Sequence, residues 1–329
     1  MTDGGESMAR AVEKSIDIQP GQTGVRKSRT VFKNWWNQRY LQFMVLPGVL
    51  WMLVFNYIPM GGIVIAFKKF KITKTIAEAP WVGFKYFREF FQDTNFWDIM
   101  TNTLGISLLK LVIGFPLPII FALLINEIRG VKFKKVSQTI SYLPHFLSWV
   151  VLGGILTSWL SKEGIINEFF VAIHVMKEPV SFLGVPKYFW PLALITDSWK
   201  ELGWGAIIYL AAITSVDQQI YEAATVDGAS KFKKIIYITL PSITGTIAIM
   251  LILQIAGLMN ANFDQMMNLK NQINISRSQV IDTYVYQVGM TNGKYSYATA
   301  VGLFKSVIAL ILLLIGNTSC KKLLGRSLY

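Results

Sequence analysis

Six apolar stretches, each long enough to cross a hydrocarbon core, leave this 329-residue chain few folds to adopt. They fall at about 41–66, 98–126, 139–160, 190–214, 240–262 and 297–319. A bilayer core is spanned by roughly 20 residues of helix. Inside it every backbone polar group must find its partner within the protein. The runs are continuous rather than alternating, which points to helices and away from a membrane barrel. The expectation is an all-α polytopic membrane protein with six transmembrane helices. Apolar residues make up 53% of the sequence and charged ones 16%, which excludes an ordinary soluble domain.

Orientation follows from where Lys and Arg collect. Seven lie before the first span, from Arg10 to Arg39. Further clusters are Arg129, Lys132, Lys134 and Lys135; Lys231, Lys233 and Lys234; and Lys321, Lys322 and Arg326. These seventeen fall on one side if the spans alternate, against twelve in the remaining loops. Both termini are therefore expected in the cytoplasm. The formal net charge of +13 then reflects membrane orientation and contact with anionic lipid, not nucleic acid. Residues 1–38 read as a disordered basic cytoplasmic tail, 39–325 as the six-helix domain and 326–329 as a C-terminal tail. The first apolar run begins too late, and is too long, for a cleaved signal peptide.

Catalytic chemistry finds no support. There is no Gly-rich GxxxxGK[ST] phosphate cradle, no Ser/His/Asp set and no paired-carboxylate site. Two histidines, His145 and His174, and the single Cys320 do not make a metal site. His145 reads as an interfacial hydrogen-bonding residue. Pro116 and Pro118 predict a kink in the second span. The segment 81–107 reads as a short outer helix, a turn and the start of that span.

Between the fourth and fifth apolar runs lies EAATVDGASKFKKIIYITLP, residues 222–241. Glu222, Ala223 and Ala224 favour helix, Asp227-Gly228 breaks it, Ala229 follows, and a basic helical run leads into Leu240-Pro241. The result is a cytoplasmic helix–turn–helix elbow with small residues at its bend. This pattern, E-A-A-x-x-D-G-A with L-P eleven residues on, closely resembles the loop by which ABC-importer permeases dock on their ATPases. Trp81-Val82-Gly83 with Phe87, and Asn102-Thr103-Leu104, resemble elements that precede the core of carbohydrate-import permeases. Three further blocks, 142–149, 198–213 and 300–317, are similar to the branch that imports oligosaccharides released from plant or algal polysaccharides. The resemblance covers residues 40–325 and is to permeases of the maltose-permease type, with the type I ABC-importer fold.

That resemblance implies a bacterial cytoplasmic-membrane subunit with no cofactor of its own. Its partners would be a second homologous permease, two cytoplasmic ATPases carrying ATP and Mg, an extracellular solute-binding protein and the lipid bilayer. Glu222, Ala223, Ala224, Asp227, Gly228 and Ala229 would form the ATPase-coupling loop, within residues 217–241. Charges inside spans usually face a cavity or one another. Here they are Lys110, Asp197, Lys200, Glu201 and Lys305. Asp197, Lys200, Glu201 and Trp204 share a helical face, and with Trp199 they become candidates for an oligosaccharide pathway. Three Lys against two acids suggests an acidic, uronate-containing substrate. Two alternatives stay open: an ABC permease for another solute, and an ion-coupled secondary transporter.

Overall fold

The computed structural model describes residues 38–324, and every extended element among them is helical apart from one isolated bridge between Lys68 and Trp81. The chain divides into two units, one ending at Gly62 and the other beginning at Ile63. The described part of the first unit opens the helical run Arg39–Phe67, here α1. Residues 1–37 and 325–329 lie outside the described residues, and with them all but residue 38 of the tails expected at 1–38 and 326–329.

The second unit follows in order as α2 (Lys85–Phe91), α3 (Phe96–Asn126), α4 (Val131–Tyr142), α5 (Trp149–Trp159) and α6 (Ile165–Ala172). Then come α7 (Phe189–Thr214), α8 (Gln218–Val226) and α9 (Lys231–Ala256). Three short helices, α10 (Phe263–Leu269), α11 (Ile275–Ser278) and α12 (Ile281–Tyr286), lead to α13 (Tyr295–Leu324). Four helices, α1, α3, α9 and α13, are long and apolar enough to cross a membrane. The pair α4–α5 would make a fifth. Helix α7 has the length, 26 residues, but carries Asp197, Lys200 and Glu201 in its middle.

The third apolar run is not the straight span expected at 139–160. After α4 a tight turn, Leu143–Phe146, ends the helix, and α5 departs at 98°. The cause is local. Pro144 starts the turn, Leu147 is extended, and Ser148 caps α5 by accepting from the Val151 N–H at 3.3 Å. An N-capping serine with extended backbone begins a new helix rather than continuing the old one. The 11 residues of α5 rise only about 16 Å.

The expected proline kink takes a specific form. Of the four widened π turns among the described residues, three, Leu53–Tyr57, Lys110–Gly114 and Ile235–Thr239, each end two residues before a proline, Pro59, Pro116 and Pro241, while the fourth, Gln287–Thr291, has none after it. Proline lacks the N–H for a helical bond, and its ring crowds the carbonyl four residues back. A π turn accommodates the mismatch by passing the bond to a carbonyl five back, as in Phe115 N–H to Lys110 O at 2.9 Å.

Three apolar clusters hold the second unit together. Ile119, Ala122 and Ile125 of α3 meet Ala206, Tyr209 and Ile213 of α7. Trp149, Leu152 and Leu156 of α5 meet Phe189, Met266 and Leu269. Phe90, Phe96, Tyr284 and Tyr297 close one end. Lipid tails are as apolar as the side chains, so close packing matters more than water exclusion. At Gly203 of α7 a Cβ would lie 2.2 Å from the Ser141 carbonyl oxygen of α4, so only glycine allows that approach.

Candidate functional site

Two sites emerge, an elbow between α7 and α9 and a polar wall on α7. In the elbow, Asp217 caps α8 by accepting from the Gln219 N–H at 2.9 Å. The helix ends in a Schellman motif: Ala229 N–H donates to Ala224 O at 2.9 Å, and Gly228 N–H to Thr225 O at 3.1 Å. Both bonds require a left-handed residue after the helix, and Gly228 supplies it at φ +73°. Ser230 then caps the next arm through the Lys233 N–H.

That second arm is the start of α9 itself, with no break between the elbow and the fifth apolar run. The two arms are tied together. The Tyr221 and Thr239 hydroxyls lie 2.8 Å apart, and Lys234 Nζ donates to Thr225 Oγ1 at 2.6 Å. Lys231 pairs with Glu127 at the end of α3, 3.1 Å away. The outer surface of the elbow is left bare. Val226 is 89% and Phe232 71% exposed. Glu222 is exposed and joins no ion pair among the described residues.

On α7 the charges divide into two networks. In the first, Lys110 Nζ lies 3.2 Å from Asp197 Oδ2 and donates to Gln265 Oε1 at 2.8 Å. Asn262 donates to Asp197 Oδ1 at 2.8 Å, and the Gln265 amide donates to Ala193 O and Thr196 Oγ1. Both Asp197 oxygens are thus occupied, and α3, α7 and α10 are locked together. Buried charges persist where pairing and hydrogen bonding are this complete.

In the second network, Glu201 Oε2 sits 2.8 Å from His145 Nδ1 and Oε1 lies 3.3 Å from Lys200 Nζ. Lys200 also donates to the His145 carbonyl at 2.6 Å. The His145 ring stacks on Trp204, 4.3 Å between centroids and 1° from parallel. The bend after α4 is what brings His145 to this face.

A cavity of about 250 Å³ opens beside these groups. It gathers Lys110, Asp197, Glu201 and Trp204 of the expected pathway residues, with Ser198, Tyr209 and Gln254. Trp199 and Lys200 do not line it, and Lys305 stands elsewhere, paired with Asp282 of α12. That pair removes the surplus cation inferred from the sequence, because Asp282 lies outside the apolar runs and was not counted. Sequence reasoning also missed Asn262 and Gln265. The available signal was the amide-rich stretch that includes Asn260, Asn262, Gln265, Asn268, Asn271 and Asn274, residue types suited to uncharged buried networks.

The family model described as binding-protein-dependent transport system inner membrane component matches residues 114–321. Protein LplB of Bacillus subtilis (strain 168) is 42% identical, over 86% of this chain and 89% of the relative. The polygalacturonan/rhamnogalacturonan transport system permease protein YteP of the same organism is also 42% identical, over 89% of this chain and 91% of the relative. Among solved structures, a bacterial ABC transporter involved in import of the acidic polysaccharide alginate matches at TM-score 0.82 and 37% identity, covering 89% of this chain and 99% of that one. A second, in complex with an alginate pentasaccharide-bound periplasmic protein, matches at 0.83 and 36%, covering 90% and 99%.

Proposed function

The chain belongs to the family of binding-protein-dependent transport system inner membrane components, a multi-pass membrane protein, and on that basis we propose that it passes oligosaccharides through the membrane for an ATP-driven importer. The observation that carries this reading is the elbow at residues 222–229: a bend built on Gly228, bare on its outer surface and continuous with α9. A docked ATPase that pulls on such an elbow moves α9 directly, as a rigid body. Glu222 is placed to pair with a basic group of that partner.

In this reading α7 is the sixth span, both termini are cytoplasmic, and residues 1–38 form a basic tail ahead of the permease domain at 39–325. Partners are a second permease, two ATPases that hold ATP and Mg, and an outer solute-binding protein. Relatives that carry polygalacturonan and alginate support a saccharide cargo. The α7 cavity suits one. Trp204, braced by the His145 ring and packed edge-on with Phe146, lines the cavity and offers indole surface to a sugar ring. Glu201, Ser198 and Gln254 offer hydrogen bonds to hydroxyls. Lys110 and Asp197, paired with each other, form part of the same wall and fix α3 against α7.

The test is ATP hydrolysis by the purified assembly in lipid, with and without solute-binding protein loaded with neutral or uronate oligosaccharides. Stimulation by one sugar class establishes coupled import and names the cargo. An assembly with no associated ATPase, transporting on an ion gradient, would overturn the reading. Topology can be mapped by single-cysteine labelling in a Cys320→Ser background, where labelling of residue 2 from outside the cell would refute a cytoplasmic N-terminus.

A further inference from the structure

A second cavity, about 800 Å³, lies away from the α7 wall, between the loop before α2, the α2–α3 turn and the segments flanking α12. On the topology proposed above it opens outside the membrane. Its volume is that of a small-molecule site. Its base is firmly built: Tyr284 and Tyr297 both donate to Asp93 Oδ2, the latter at 3.0 Å, and Asn95 donates twice to Oδ1. Ser296 donates to Lys68 O at 2.6 Å and accepts from Phe70 N–H at 3.0 Å, pinning the rim loop to α13.

The charges around this cavity are unequal in availability. Asp93 has its oxygens occupied by four donors. Glu89 pairs with Lys85 at 3.7 Å. Asp98 lies in the first turn of α3, where the helix terminus offsets a negative charge. Lys69, Lys71 and Lys294 also line the cavity. None of them has a carboxylate within ion-pair distance among the described residues. Tyr86 and Tyr295 present aromatic surface beside them, with the Asn292 and Gln287 amides at hand. Unpaired cations, ring faces and amides together fit a sugar that carries carboxylates.

We propose that this outer cavity is a binding subsite for a uronate segment of an oligosaccharide, and that preference for acidic cargo is exerted here rather than by the charges of α7. The inference rests on the oligosaccharide-import reading, and it is tested separately from it. The probes are a galacturonate trimer and the neutral galactose trimer, titrated against the complete assembly in nanodiscs without solute-binding protein. The wild type should prefer the uronate by roughly tenfold, the scale of three exposed charge pairs of modest strength, and added salt should erode the preference.

A K69Q/K71Q/K294Q variant should lose that preference, and the K69R/K71R/K294R variant should keep it. Equal binding of the two trimers to the wild type would overturn the proposal, as would an unchanged preference in the glutamine variant. So would a glutamine variant that binds the uronate normally but no longer responds to loaded solute-binding protein, since the cavity would then seat that protein. Failure of every sugar to stimulate ATP hydrolysis would instead strike the import reading, while the titration still reports on the cavity.

Discussion

Gly228 offers the sharpest test of the elbow. Its φ of +73° places it in the left-handed region, and a Cβ there would meet nothing within 4 Å. Substitution therefore perturbs backbone conformation alone, without a steric clash. An alanine in this conformation costs about 1–2 kcal/mol. If the Schellman bend must be intact for the elbow to seat, that energy lowers the seated population roughly 5- to 30-fold. Asparagine tolerates the left-handed region and should cost less. Proline cannot reach this φ and also removes the N–H that bonds Thr225 O at 3.1 Å. The expected order of coupled uptake is Gly228, then Gly228→Asn, Gly228→Ala and, at background, Gly228→Pro. The assay is uptake by cells with matched membrane levels of each variant, together with sugar-stimulated ATP hydrolysis in proteoliposomes. Normal uptake by a stably inserted Gly228→Pro chain would refute the reasoning.

Three further outcomes follow from the packing. Removing one partner of the Lys305–Asp282 pair, as in Lys305→Gln, should destabilise the fold by about 3 kcal/mol; thermal unfolding in nanodiscs should show recovery when Asp282→Asn is added, and no recovery would argue against the pairing. Gly203→Ala forces α4 away from α7 at the Ser141 carbonyl and should cost about 1–3 kcal/mol, whereas the same change at Gly302, where a Cβ meets nothing within 4 Å, should be near neutral. At Asp93, burial raises the carboxyl pKa, but hydrogen bonds from Tyr284, Asn95 and Tyr297 outweigh it and hold the group below its ordinary value. A depressed carboxyl stabilises the fold above the unfolded carboxylate range and loses that contribution as pH falls through the folded value. The melting temperature should therefore fall on acidification more steeply in the wild type than in Asp93→Asn, and equal slopes would contradict the assignment. Burial, with the Asp93 hydrogen bond, pushes Tyr284 up to about 12, so it remains a donor throughout.

Much of this architecture could be read from residue order because lipid imposes harsh rules. Long apolar runs had to be helices, and Asp227-Gly228 had to break one. Glu201 and Trp204, three apart on α7, were legible as one face. What escaped depended on short-range geometry or on segments without periodicity. Ser148 could begin a new helix or sit inside an old one, and that choice decides whether His145 reaches Glu201. Asn262, Gln265 and Asp282 lie in a stretch of short helices where no hydrophobic repeat announces burial. Their partners Asp197, Lys110 and Lys305 were visible, but with half of each bond missing the charge balance came out wrong.

The π turns ahead of Pro59, Pro116 and Pro241 also bear on how the chain length can vary. A π turn is an α-helix holding one extra residue, absorbed as a bulge so that the flanking turns keep their angular phase. Elsewhere in a helix a one-residue deletion rotates everything upstream by about 100°. A deletion of Val112 would instead leave the faces of α3 in phase, with Lys110 still directed to α7, and would take away only the room that Pro116 needs. Gaps of one residue should therefore be tolerated at these three places, provided the proline is lost with the residue.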